Sequence, residues 1–176
     1  MNLVLGVSGS ISAYKAVDIL RLFQKEGHEA TVVLTANAQR LVTPALFETF
    51  APGRVLCDMW QPRSDRLAHV RLAEECELLL IAPATANIIG KMAAGIADDL
   101  LSTLYLAFPK RVVVAPAMNR FMYEHPAVVD NLALLRSRGV EVIEPETGAL
   151  ASGDEGRGRL PAAEAVYRAC CGTIHV

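Results

Sequence analysis

No apolar run in the sequence approaches the roughly 20 residues that span a bilayer, so no transmembrane helix and no membrane partner are expected. Basic charge is also scarce. The 17 Lys and Arg against 19 Asp and Glu leave a net charge of -2, without the basic footprint of a nucleic-acid or anionic-membrane binder. The first residues lack the basic start and cleavage site of a signal peptide, so a cytoplasmic, reduced location is expected. Cys57, Cys76, Cys170 and Cys171 fit neither a disulfide framework nor a zinc motif. No two histidines have metal-ligand spacing, and no metal is expected. Repeats, linkers and low-complexity segments are missing as well, which leaves one domain over residues 1–176.

What is present is apolar. Of the 176 residues, 52% are hydrophobic and 20% charged, a slight surplus for a lone domain that is expected to cover a subunit interface. Strand patterns at 2–8, 29–35, 77–82, 111–115 and 140–143 alternate with helical patterns at 12–25, 43–50, 87–95, 98–107, 126–138 and 161–170. Pro83 reads as the end of the third strand, and 51–68 as irregular. This alternation predicts an α/β, Rossmann-like (flavodoxin-like) three-layer sandwich with a parallel sheet. The glycine-rich, charged stretch 148–159 reads as a mobile flap.

Ligands of open α/β sheets bind beyond the carboxyl ends of the strands. Those ends carry Ser8-Gly9-Ser10, Thr35, Pro83-Ala84-Thr85-Ala86-Asn87 and Pro116-Ala117-Met118-Asn119. Gly9 and Ser10 open a helix, where glycine and free N–H groups suit a phosphate; an ordinary tight βα turn would look the same. The full G-x-G-x-x-G pattern is absent, which favours a mononucleotide over a pyrophosphate. His69 precedes the third strand and is the histidine placed to take a proton, though surface and capping roles are commoner. Asn119 reads either as an amide donor to a carboxylate or as a helix cap. Asp98 and Asp99 read as an N-cap, and Ser102 and Thr103 as helix surface.

Taken together, these segments resemble the homo-oligomeric flavin-containing cysteine decarboxylases. Residues 8–15 resemble the family's flavin loop, 83–87 its PASANT motif, and 97–103 the helix start that follows. Residues 116–119 with Met122 resemble its PxMNxxMW motif, with Tyr123 in place of tryptophan, and the stretch after Gly148 resembles its substrate clamp. The resemblance implies a flavoprotein holding FMN through Gly9, Ser10, Ile11, Thr35 and Ser102, with Ala84, Thr85 and Met118 along the flavin. It implies His69 as the base, Asn87 and Asn119 beside the substrate, and Ala151, Ser152 and Gly153 in the clamp. It also implies a homotrimer, or a dodecamer of trimers, with the FMN site at the subunit interface.

The motif wording is nearest the coenzyme A pathway member of that family, which decarboxylates 4'-phosphopantothenoylcysteine to 4'-phosphopantetheine. Relatives act on a C-terminal peptide cysteine. Two departures stand out. The family clamp has Ala-Cys-Gly, and its cysteine serves as proton donor for the last reduction; here the sequence is Ala151-Ser152-Gly153. An engineered trap, a natural variant with another donor, and a member that releases the enethiol all fit that change. The family is also often fused to a C-terminal synthetase, and this chain ends at Val176, as a free-standing protein or a fragment. Flavin prenyl transfer and non-catalytic FMN-dependent regulation are the alternatives.

Overall fold

The structure is a computed structural model that describes residues 1–60, 67–149 and 155–173. Six strands form a parallel sheet: β1 (Asn2–Val7), β2 (Glu29–Leu34), β3 (Val55–Leu56), β4 (Leu78–Ala84), β5 (Arg111–Pro116) and β6 (Glu141–Val142). Their spatial order is β3-β2-β1-β4-β5-β6. That is the Rossmann order rather than the flavodoxin order, which begins 2-1-3. The chain winds outward from β1 through β2 to β3, then crosses back to β4 on the other side. The switch point therefore falls between the carboxyl ends of β1 and β4, where a crevice opens.

The central strands are apolar along their whole length because helices cover both faces. Leu3, Leu5, Val7, Leu78 and Leu80 point to one side. There they meet Ile19, Leu20 and Phe23 of α1 (Ala16–Lys25) and Val166 and Tyr167 of the C-terminal helix at Ala163–Cys171. Val4, Leu79 and Ile81 point to the other side. They meet α3 (Ala68–Glu75), α4 (Ala86–Ala94), α5 (Leu100–Ala107) and α7 (Pro126–Ser137). Gly6 in β1 faces α5, and a Cβ there would lie 2.6 Å from Leu101 Cδ1, so any side chain at this position would force Leu101 to move.

Several expectations need correction. The helix pattern at 12–25 divides into a 3-10 turn at Ile11–Lys15 followed by α1. The region read as irregular holds the edge strand β3 and the start of α3. Pro83 does not end the third strand: β4 continues to Ala84, with a register shift against β5 between Ile81 and Ala84, where proline has no N–H for the ladder. The stretch 148–159, read as a flap, instead contains the end of one strand and the whole of another, β7 (Glu146–Ala149) and β8 (Glu155–Arg159), which pair antiparallel. Two helices, α2 (Pro44–Glu48) and the one-turn α6 (Arg120–Tyr123), complete the order before α8 (Ala163–Cys171).

Candidate functional site

The carboxyl ends of β1 and β4 are joined by one hydroxyl. Ser8, 2% exposed, donates from Oγ to the Pro83 carbonyl at 2.7 Å and accepts from the Thr85 N–H at 2.9 Å. Its own N–H also reaches the Pro83 carbonyl, at 3.3 Å. From this junction each chain turns into a helix start. Ser10 caps the 3-10 turn, accepting from the Ser12 N–H, and Thr85 caps α4, accepting from the Ile88 N–H. Neither the Gly9 nor the Ile11 N–H finds an acceptor among the described residues, so two donors remain for a ligand. Gly9 has a second reason to be glycine: a Cβ there would lie 2.6 Å from Asn37 Cβ on the loop after β2.

Beyond β5, Asn119 caps α6 by accepting the Phe121 N–H on Oδ1 at 2.9 Å. The cap consumes the oxygen and leaves the Nδ2 donors without a partner among the described residues. The two readings of Asn119 are thus compatible. The segment before α6 also carries β8 on its back. Met118 N–H donates to the Gly158 carbonyl at 3.0 Å, and a Cβ on residue 158 would come within 2.2 Å of the Met118 carbonyl oxygen.

These pieces enclose a cavity of about 670 Å³, lined by residues 9–12, Tyr14, Lys15, Thr85, 117–119, Met122 and 158–160. Among the described residues its ionisable lining is Tyr14, Lys15 and Arg159, with no carboxylate. Neither Lys15 nor Arg159 has an ion-pair partner among the described residues. A second cavity of about 300 Å³ shares Gly9, Thr85 and Met122 with the first and adds Thr35, Asn37, Asn87, Lys91 and Asp99. Lys91 bridges Asp98 at 2.6 Å and Asp99 at 2.9 Å. Burial alone would raise the Asp99 carboxyl, but the Ser102 N–H and the Lys91 ammonium outweigh it and hold it below the ordinary carboxylate range.

Gly9, Ser10, Ile11, Thr85, Met118 and Asn119 meet around the larger cavity, and Thr35 and Asn87 line the smaller. Ala84 and Ser102 line neither. Ala84 is buried within β4, and Ser102 is closed into a capping box with Asp99, its Oγ accepting from the Asp99 N–H at 3.1 Å. His69 lies in the first turn of α3 and lines neither cavity. Its Nδ1 is buried without a hydrogen-bond partner among the described residues. Ala151, Ser152 and Gly153 fall outside the described residues. None of the four cysteines lines either cavity, and burial pushes the Cys170 thiol up to about 12. Sequence reasoning missed the cationic lining and the Ser8 bridge. Lys15 and Arg159 sit inside recognised motifs, but only the fold shows that they face one space.

A family model described as Flavoprotein matches residues 1–175. The coenzyme A biosynthesis bifunctional protein CoaBC of Mycobacterium tuberculosis (strain H37Rv) is 43% identical over 165 residues, covering 94% of this chain and 39% of that protein. The chain thus spans about two-fifths of the length of the curated relatives it matches. A PPC decarboxylase mutant complexed with pantothenoylaminoethenethiol superposes with a TM-score of 0.84 at 29% identity, covering 96% of this chain and 95% of that one. The FMN-dependent cysteine decarboxylase SpaF superposes with a TM-score of 0.83 at 31% identity, covering 99% and 94%.

Proposed function

We propose that this chain, which belongs to the flavoprotein family, binds FMN in the cleft between β1 and β4 and carries out the oxidative decarboxylation of 4'-phosphopantothenoylcysteine, the step that precedes reduction to 4'-phosphopantetheine. The observation that carries the reading is the larger cavity: three strand-end loops and β8 close on one space whose charged lining, among the described residues, is cationic. Similarity to CoaBC and to PPC decarboxylase favours this substrate over others.

The residues present fit the cofactor. The unpartnered N–H groups of Gly9 and Ile11, with Ser10, suit its phosphate. Thr35 and Thr85 offer hydroxyls along the cleft, and Met118 an apolar wall. When bound, FMN would supply the two-electron oxidation of the thiol-bearing carbon that lets carbon dioxide leave from the neighbouring carbon. The chain does the rest. Asn119 Nδ2 donors orient the carboxylate that departs, and Lys15 and Arg159 attract an anionic substrate. His69 removes the thiol proton, and Ser152 stands at the place of the family's proton donor. Because His69 lines neither cavity of its own chain, the reading includes self-association as a trimer or a dodecamer of trimers, in which another copy's His69 would complete the site. The rim is suited to being covered: Ile11 is 63%, Tyr14 60% and Met122 48% exposed.

A peptide ending in cysteine, the alternative left open by the sequence, is the second substrate to try. The deciding experiment incubates FMN-loaded protein separately with 4'-phosphopantothenoylcysteine and with such a peptide, and follows product mass. Loss of carbon dioxide from the first alone supports the reading. Loss from the peptide alone, or no mass change with either, overturns it.

A further inference from the structure

Tyr123 ends α6 and is only 8% exposed, so its hydroxyl requires a partner. Glu144, between β6 and β7, provides one: Tyr123 Oη donates to Glu144 Oε2 at 2.7 Å. The same oxygen accepts from Arg157 Nη2 of β8 at 2.8 Å, and the Arg157 guanidinium carbon lies 5.5 Å from the Tyr123 ring centroid. Arg136 of α7 takes the other oxygen, Oε1. One carboxylate therefore joins α6, α7 and β8.

An isolated ion pair this exposed would contribute little, since the Arg157 and Glu144 side chains are 50% and 49% accessible. The backbone around it changes its significance. Besides the Met118–Gly158 contact, a Cβ on residue 156 would lie 2.6 Å from Arg120 Cδ. β8 thus lies close on the segment that carries Met118 and Asn119, Gly158 against its backbone and Gly156 against the Arg120 side chain. Backbone contact alone permits sliding; a side-chain tie fixes where β8 rests. Gly158 and Arg159, at the end of that strand, form one wall of the larger cavity, and Met118 and Asn119 form the adjoining wall.

We propose that Glu144 is a positioning residue: by tying Tyr123 to Arg157 it seats β8 on the Met118–Tyr123 segment and sets the relative placement of two walls of the larger cavity. Its kinetic consequence rests on the proposed decarboxylase reading; its structural consequence does not. Neither Glu144 nor Arg157 lines the cavity, so both act through what they hold.

The test compares Glu144→Ala, Glu144→Gln and Tyr123→Phe with the unmodified FMN-loaded protein. Hydrogen exchange at the amides of Met118 and residues 156–159 should accelerate about tenfold in Glu144→Ala, the loss expected from one charge-assisted hydrogen-bond tie. KM for 4'-phosphopantothenoylcysteine should rise by a similar factor while kcat and the FMN Kd stay within about twofold. Glu144→Gln keeps an acceptor oxygen and should recover most of the exchange protection. Tyr123→Phe removes only a hydroxyl, so it carries the test should Glu144→Ala fail to fold. Unchanged exchange at 156–159 in Glu144→Ala and Tyr123→Phe overturns the proposal. So does a loss of FMN affinity as large as the rise in KM, which would mark a general structural defect. If the unmodified protein turns over no thiol substrate, the decarboxylase reading fails, and the exchange measurement still decides the role of Glu144.

Discussion

The Ser8 hydroxyl stands between two strand ends, donating to the Pro83 carbonyl and accepting from the Thr85 N–H at 2.9 Å. It holds the two loops that begin the cleft, although it lines only the smaller cavity. Ser8→Ala would leave a buried carbonyl and an amide without their side-chain partner, a cost of about 1–3 kcal/mol. The expected result is a lower urea midpoint together with weaker FMN binding, followed by denaturation and by flavin fluorescence quenching. Lowered stability with undiminished FMN affinity would mean that the bridge supports the sheet and not the site.

Asn119 separates two roles within one side chain. Asn119→Asp retains an oxygen to cap α6, as aspartate does well. It replaces the Nδ2 donors with negative charge at the cavity wall. Thermal stability should therefore remain near that of the parent, while affinity for the carboxylate substrate falls by roughly several kcal/mol, because like charges then face each other. Calorimetry and KM measured on the same preparation check both halves. Equal affinity in the two proteins would remove Asn119 from substrate binding.

Asp99 gives a pH dependence whose sign is fixed. Its folded-state carboxyl is held below the ordinary 3.8, so its contribution to stability is complete above that value and is lost as pH falls through the lower, folded one. Asp99→Asn keeps the cap but cannot ionise. At neutral pH the variant should be less stable, and the gap should close as pH drops below 3.8. Urea unfolding at several acidic pH values measures it, and a gap independent of pH would show that Lys91 and Ser102 do not favour the charged form.

His69 reaches the chemistry only if another copy supplies it. His69→Asn should keep FMN and lose thiol oxidation. Mixed with Asn119→Asp under conditions that exchange subunits, it should regain activity, because some sites then combine an intact cavity with an intact histidine. No recovery in a demonstrated mixed oligomer would reject a shared site.

The strands were legible because burial on both faces writes itself as unbroken apolar runs, as in residues 78–82. The strand-end residues were legible for the same reason, since small and polar groups interrupt those runs. α3 was not: residues 68–75 mix three charged side chains with a narrow apolar edge made by Leu72 and Ala73, and only the underlying sheet makes that edge sufficient. β7 and β8 were missed because glycine and arginine are poor strand signals. What makes β8 a strand is its pairing with β7, and what seats it is Met118, a contact 40 residues away in sequence that no local pattern records. Pro83 misled for a related reason: proline lacks the ladder donor, but its carbonyl is what Ser8 holds.

In the proposed reaction, Ser152 is the residue whose acidity would decide how far the chemistry runs. If the residue at that position delivers the proton to carbon as hydride returns, its acidity matters. A thiol near about 8.5 can serve, whereas an aliphatic hydroxyl is a far weaker acid. No other thiol is at hand: Cys57, Cys76, Cys170 and Cys171 line neither cavity, and burial holds the Cys170 proton in place up to about 12. The unmodified protein should therefore release carbon dioxide and accumulate the enethiol, while Ser152→Cys should yield 4'-phosphopantetheine. Serine and cysteine differ little in size, so substrate affinity should hold nearly constant and the change should fall on the reductive half alone. Anaerobic single turnover, with product mass followed over time in both proteins, reads this directly. Equal rates of 4'-phosphopantetheine formation would assign the proton to another donor. Tyr14 and Lys15 would then be next to substitute, because both line the same cavity and carry ionisable protons.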